Sequence, residues 1–331
     1  MGFDRHDAGE VRPARLAGET PADVLAFAAA RLQSGERLAV ATLVDIVGPS
    51  ARRLGAQIAL ALDARGGGAC GGAWAGSLSG GCFDANVVAL LQRTIETGAG
   101  ARQRFGAGSP YVDLQLPCGG GVDLLLTPIV DPRPILEAAK AIEERRPQRL
   151  AFGEEGARAA DAARAGDYVA RYVPPLRLAI AGAGAEAVAL ARIARAAGWL
   201  VDAWTSDEVD LSALAEAGAQ ARLMTSAADA DFDADFNADP WTAVVTLFHD
   251  HDKEPPILAR ALASEAFYVG AMGAKATCER RRHALAALGV AAASIARLRA
   301  PIGLVPATRE PSALAISTLA EIASVDAARR A

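Results

Sequence analysis

From Arg37 to Val47 the chain is apolar and β-branched, the pattern of a strand, and Gly48-Pro49-Ser50 ends it. A helix is expected before it. Thr20 can cap, Pro21 suits the first helical position and Asp23 favours the dipole end, so the helix starts there, runs to about Gln33 and stops at Gly35. Residues 57–62 read as a second strand and 66–72 as a glycine-rich turn. Residues 74–79 lead into Gly80-Gly81-Cys82, where Phe83, Val87, Leu90, Leu91 and Ile95 begin a helical period that Gly98 and Gly100 close. Strands are predicted at 114–116 and 122–129, either side of Pro117-Cys118-Gly119-Gly120-Gly121, and a helix at 134–144.

Residues 145–175 change character, with charges, Ala, Gly and three prolines. From 176 the pattern alternates strand and helix: strands at 176–181, 200–204, 243–248 and 267–269, helices at 186–197, 211–217, 256–264 and 274–288, and a closing helix at 311–324. That series predicts a mostly parallel sheet with helices on both faces. The expected fold is therefore α/β, with a mixed α/β domain over 20–145, a linker over 146–173 and a Rossmann-like domain over 174–328. A length of 331 residues suits two domains.

Composition narrows the chemistry. Hydrophobic residues make up 52% and charged residues 22%, with net charge −5, as in a soluble globular protein. No Lys/Arg block marks a nucleic-acid partner, and Glu279-Arg280-Arg281-Arg282 reads as a solvated helix face. No apolar run reaches the ~18 residues a membrane span needs. Residues 1–19 have mixed charge and no apolar segment, unlike a secretory signal. The four cysteines, Cys70, Cys82, Cys118 and Cys278, form no C-x-x-C pair, so a reduced, cytoplasmic setting is expected.

Gly182-Ala183-Gly184 follows a strand and opens a helix, the context of a dinucleotide-binding turn, and Asp207 stands where an acid would meet a ribose hydroxyl. Glu186 in the first helical turn would repel a phosphate placed there. His249-Asp250-His251-Asp252 follows the strand at 243–248, where loops line the ligand crevice. His249 is a candidate site residue, and a capped helix start at Asp252 is the structural alternative. Gly270-Ala271-Met272-Gly273 is a possible second glycine loop at that edge. Cys82 sits where a glycine turn meets a helix start, which favours the thiolate. Cys118 sits among glycines whose N–H groups can form an anion nest. Cys70 and Cys278 read as core residues or as chance.

Together these stretches resemble the XdhC/CoxI family, accessory proteins of molybdenum hydroxylases. The resemblance rests on residues 76–84, 116–121, 178–184, 248–252, 268–273 and 301–304, with Asp84 where the family usually has Glu, and with Ala185, Ala274-Lys275 and Arg309-Glu310-Pro311-Ser312 departing from its pattern. It implies a chaperone without turnover that binds molybdenum cofactor, holds it while a cysteine desulfurase adds sulfur, and passes it to an apo molybdenum hydroxylase. It further implies a homodimer and, from the Phe248-His249-Asp250-His251 wording, the molybdopterin cytosine dinucleotide form. The expected cofactor-binding residues are Ser79, Gly80, Gly81, Cys82, Cys118, Gly119, Gly120, Gly182, Gly184, Asp207, His249, Gly270 and Gly273. Cys82 and Cys118 would face the metal, as candidate molybdenum contacts, and the later glycine loops the phosphate or nucleotide end. An NAD(P)-dependent oxidoreductase is the alternative. A molybdenum nucleotidyltransferase is a further one, for which no P-loop is present.

Overall fold

The structure is a computed structural model that describes residues 14–16, 20–63, 72–79, 83–109, 119–224, 238–248, 254–306 and 308–330. It divides between Pro174 and Pro175 into two compact units.

The first unit is built on a six-stranded sheet. Its strands are β1 (Ala14–Leu16), β2 (Arg37–Val47), β3 (Gln57–Leu62), β4 (Ala73–Gly76), β5 (Ala101–Gly106) and β6 (Gly121–Pro128). They lie in the order β1-β4-β3-β2-β6-β5, antiparallel except for the β1–β4 pair. The two-residue period of β2 sorts its side chains onto two faces. Leu38 and Val40 meet helix α1 (Pro21–Gln33) and helix α3 (Arg133–Glu143) through Val24, Leu25, Ala28, Ile135 and Ile142. Ala39, Ala41 and Leu43 meet helix α2 (Asp84–Thr97) through Val87, Leu91 and Ile95. Helix α1 begins as the sequence dictates: Thr20 accepts the Asp23 amide at 3.2 Å, and the Asp23 carboxylate accepts the Thr20 amide at 3.0 Å, a reciprocal cap.

Residues 146–173, expected as a linker, instead form a three-stranded antiparallel sheet. Its strands β7 (Gln148–Gly153), β8 (Gly156–Ala159) and β9 (Tyr168–Tyr172) lie in the order β8-β7-β9. Leu150, Phe152, Ala170 and Tyr172 are buried in the core of α1 and α3. The buried Tyr172 hydroxyl donates to Gln57 Oε1 at 2.7 Å, and Gln57 Nε2 donates to Thr42 at 3.0 Å. These bonds tie the small sheet to β3 and β2.

The second unit carries an all-parallel sheet. Its strands are β10 (Arg177–Gly182), β11 (Leu200–Thr205), β12 (Gln220–Leu223), β13 (Thr242–Leu247), β14 (Tyr268–Ala271) and β15 (Leu298–Arg299). The order is β12-β11-β10-β13-β14-β15. Successive strands are added outward in opposite directions from β10 and β13, so the loops leaving those parallel strands flank the switch point where ligands of such sheets bind. Helix α4 (Ala185–Ala196) covers one face, and α5 (Glu208–Glu216) connects β11 to β12. Helices α6 (Glu254–Ala263) and α7 (Lys275–Ala287) cover the other face, and the short α8 (Ala292–Ile295) precedes β15. The last helix, α9 (Pro311–Arg330), packs beside α4 through Leu319 and Ile322. Among the described residues no helix is long and apolar enough to cross a membrane.

Candidate functional site

Helix α2 starts one residue after Phe83, which offers no side-chain cap. Its first residue, Asp84, is 2% exposed and turns its carboxylate back on the segment before the helix. Asp84 Oδ1 accepts the Leu78 amide at 3.1 Å, the Ser79 amide at 3.0 Å and the Ser79 hydroxyl at 2.8 Å, while Oδ2 accepts the Ser77 hydroxyl at 2.8 Å. Ser79 Oγ in turn accepts the Phe83 amide at 3.0 Å. Ser79 and Phe83 thus form the closed neck of the Gly80-Gly81-Cys82 segment, which itself lies outside the described residues. The sequence pointed to Ser79 but gave Asp84 no role. Its signal was a carboxylate in the first helical turn after a serine-rich segment.

Cys118 also lies outside the described residues, and Gly119 and Gly120 follow it. Gly120 has to be glycine, because a Cβ there would stand 2.3 Å from the Pro49 carbonyl oxygen. Its own carbonyl accepts the Ala107 amide at 3.0 Å.

Strand pairing brings the shoulders of the two cysteine motifs to one end of the sheet. Gly76, the last residue of β4, pairs with Ile58 near the start of β3, Thr42 pairs with Gln57, and Val47 at the end of β2 pairs with Gly121 at the start of β6. Two strands separate β4 from β6, about 14 Å across the sheet at the usual strand spacing, and β2 carries Gly121 six residues beyond the level of Gly76, from Ala41 opposite Ile58 to Val47, about 20 Å along the strand.

In the second unit Gly182 (φ +154°) and Gly184 (φ +87°) make the turn from β10 into α4. A Cβ on Gly182 would lie 2.3 Å from the Leu247 carbonyl oxygen, so the two central strands approach through a glycine. The Gly184 amide points at an acceptor that the chain supplies: Asp210 Oδ2, at 2.7 Å. Asp207 caps α5, its Oδ1 accepting the amides of Val209 at 2.7 Å and Asp210 at 3.0 Å. The turn is therefore edged by carboxylates and already carries one on its amide, a poor seat for a pyrophosphate.

At the carboxyl ends of β13 and β14 a buried polar network replaces the surface expected for residues 279–282. Glu279, Arg280 and Arg282 are exposed, but Arg281 is 4% exposed and Glu254 fully buried. Arg281 Nε and Nη2 meet Glu254 Oε2 at 2.7 and 2.6 Å, and Nη2 donates to the Met272 carbonyl at 2.8 Å. Thr246 donates to the other Glu254 oxygen. Sequence reasoning missed both charges. The network ties the end of β13 to the Gly270–Gly273 segment. In that segment Gly270 is hemmed in by Tyr268 and Ile302, and Gly273 (φ +150°) by Thr277. Cys278 is buried, with its sulfur 3.8 Å from the Gly273 carbonyl oxygen. His249 lies outside the described residues. Among the described residues no three His, Cys, Asp or Glu side chains gather as a metal set.

The final motif, Pro301-Ile302-Gly303-Leu304, is anchored on α9. Glu321 Oε2 accepts the Gly303 amide at 2.7 Å and the Tyr268 hydroxyl at 2.8 Å. Burial, reinforced by the Glu321 charge, pushes the Tyr268 hydroxyl far above the usual phenol range.

Known proteins match in the same two parts. Residues 31–106 match the model of the XdhC and CoxI family, and residues 178–322 match the XdhC Rossmann domain. The molybdenum cofactor insertion chaperone PaoD of Escherichia coli (strain K12) is 33% identical over 309 residues, 91% of this chain and 87% of that protein. A crystal structure described as a xanthine dehydrogenase from Bacillus halodurans superposes with a TM-score of 0.70 at 20% identity, over 92% of this chain and 96% of that one, a likeness of fold. With identity at that level over nine-tenths of its length, and both domain models matched in order, the chain belongs to the XdhC and CoxI family.

Proposed function

We propose that this protein is a molybdenum cofactor chaperone. It holds the cofactor, presents it to a cysteine desulfurase for sulfuration, and passes it to the apo large subunit of a partner molybdenum hydroxylase, without turnover of its own. The observation that carries this reading is the 33% identity, along nearly the whole chain, to a chaperone of molybdenum cofactor insertion. The geometry of the first unit supports it. Segments flanking two cysteine motifs leave one end of one sheet, and one of them is fixed by the four bonds to Asp84.

The cargo is an anionic pterin with a phosphate, a dithiolene and an oxo-metal centre. Thiolates suit its metal end, and backbone N–H groups of glycine loops suit its anionic end. We assign Cys82 and Cys118 to the metal end, with Ser79, Gly80, Gly81, Gly119 and Gly120 as their frame. The cytosine dinucleotide form of the cargo, a homodimeric assembly and a cytoplasmic setting complete the proposal. Gly182, Gly184, Asp207, His249, Gly270 and Gly273 remain its candidate nucleotide-end residues. The carboxylate on the Gly184 amide weighs against a pyrophosphate at that one position, and with it against the NAD(P)-dependent oxidoreductase reading.

The test is retention of the cargo. Protein purified from a molybdenum-replete host is denatured, and the released pterin and nucleotide are identified by mass spectrometry. The wild type should yield molybdopterin, and the C82A/C118A double variant should yield far less and activate the partner poorly. Equal yield and equal activation would reject the thiol assignment, and a pterin-free wild type would reject the chaperone.

A further inference from the structure

The turn joining β2 to β3, residues 48–56, leaves the sheet at the end that also carries the shoulders of both cysteine motifs. It is a closed, well-bonded turn. Ser50 Oγ donates to the Arg52 carbonyl at 2.9 Å and accepts the Arg52 amide at 3.3 Å. The Gly55 amide donates to Leu43 at 2.8 Å, and the Ala56 amide to Arg53 at 3.2 Å. The turn also packs directly on the residues that follow Cys118. The Pro49 carbonyl fills the space where Gly120 lacks a Cβ, and a Cβ on Gly48 would meet the Gly120 Cα at 3.6 Å.

This rigid turn carries Arg52 and Arg53. Arg53 is exposed, whereas Arg52 is half-buried, and its Nε is removed from water with no hydrogen-bond acceptor. Among the described residues no carboxylate pairs with either. Asp123 on β6, opposite Asp45 of β2, is already engaged by Arg104, at 3.0 Å. A guanidinium cannot shed its charge, and a buried donor without an acceptor is costly, so the position favours a ligand that brings the missing oxygen. A phosphate matches the planar fork of an arginine with two parallel bonds.

We infer that Arg52 is an anion-recognising residue of the first unit that takes the phosphate group of the pterin cargo. This inference rests on the chaperone reading above. It puts a cation on the turn whose Gly48 and Pro49 pack against Gly120, and a cation is the group an anionic cargo requires.

The same chemistry would accept free phosphate, so the test has two arms. The first measures pterin retained per protein chain after purification from a molybdenum-replete host, for wild type, R52A, R52Q and R53A. The second measures the rise in thermal midpoint of the cargo-free protein on adding inorganic phosphate. R52A and R52Q should lose at least about tenfold in retained pterin, the scale of one charge-assisted bidentate contact, and should lose the phosphate-dependent rise. R53A, which removes the same charge from the exposed neighbour, should stay within about twofold on that scale of contact energies. If R52A folds poorly, R52Q, neutral but still polar, decides the matter at a urea midpoint equal to wild type. Wild-type retention and an unchanged phosphate response in R52Q would overturn the inference. A wild type that holds no pterin, yet shows a phosphate response that depends on Arg52, would overturn the chaperone reading and leave Arg52 an anion site.

Discussion

Asp210 Oδ2 sits 2.7 Å from the Gly184 amide, so the phosphate position of the glycine turn is taken by the chain's own carboxylate. A dinucleotide would have to displace a charge-assisted bond and then lie among Asp207, Asp210 and Glu186. Titration of the purified protein with NAD and NADP, followed by calorimetry, should therefore show no saturable binding. Replacing Asp210 with Ala or Asn should not weaken any binding that exists, since it removes a competitor. Tight binding to the wild type, lost in D210A, would mean that Asp210 contacts the ligand and does not block it.

Asp84 should matter for stability more than any other polar residue of the cysteine motifs. D84A removes the acceptor for four donors, two amides and two hydroxyls, in a site with almost no water access. The expected loss is about 3 kcal/mol in urea unfolding, from buried donors left unpaired. D84E keeps the charge with one more methylene and should recover most of that loss. A wild-type midpoint for D84A would show that the segment has another anchor.

Much of this was readable beforehand where local chemistry and tertiary packing agree. Thr20, Pro21 and Asp23 announced α1, and the reciprocal cap forms. Arg37–Val47 announced a strand, and β2 sits in mid-sheet, buried through most of its length. The small sheet over 148–172 was hidden, because its strands are four to six residues long and interrupted by charges and glycines. Only the packing of Phe152 and Tyr172 under α1 and α3 makes it a sheet. Residues 279–282 misled for a different reason. Counting charges gives a wet surface, whereas counting positions puts Cys278, Arg281 and Leu285 on one helical face, and all three are buried. The Asp210 contact joins a side chain to a backbone amide, which no side-chain pattern encodes, whereas Asp84 left a signal in the serines it binds.

The Glu254–Arg281 pair should behave as a buried charge pair whose halves depend on each other. Removing one partner leaves an uncompensated charge with side-chain exposure of 2% or less. E254Q and R281M should each cost about 3–5 kcal/mol. The double variant E254L/R281M should cost much less than the sum, because both charges leave together and apolar volume replaces them. A double-mutant cycle in urea measures the coupling. Additive losses would show that the two side chains are stabilised separately, by Thr246 and by the Met272 carbonyl.

Alkaline pH should unfold the protein through two tyrosines. Burial pushes the hydroxyls of Tyr172 and Tyr268 far above their ordinary value of 10.0; the Gln57 bond opposes this at Tyr172, and the Glu321 charge adds to it at Tyr268. Below pH 10 both folded and unfolded chains hold these protons, and the contribution is fully present. Above it the unfolded chain releases them while the folded chain keeps them, so stability falls as pH rises. Each tyrosine adds a slope of about 1.4 kcal/mol per pH unit until its own folded pKa is reached. Urea midpoints at pH 9, 10 and 11 should show that decline. Y172F and Y268F should each be less stable at pH 8, from the lost bond to Gln57 or Glu321, and each should fall less steeply above pH 10 than wild type. Parallel pH profiles for wild type and Y172F would mean that Tyr172 ionises as readily in the folded chain as in the unfolded one, and the burial argument for that residue would fail.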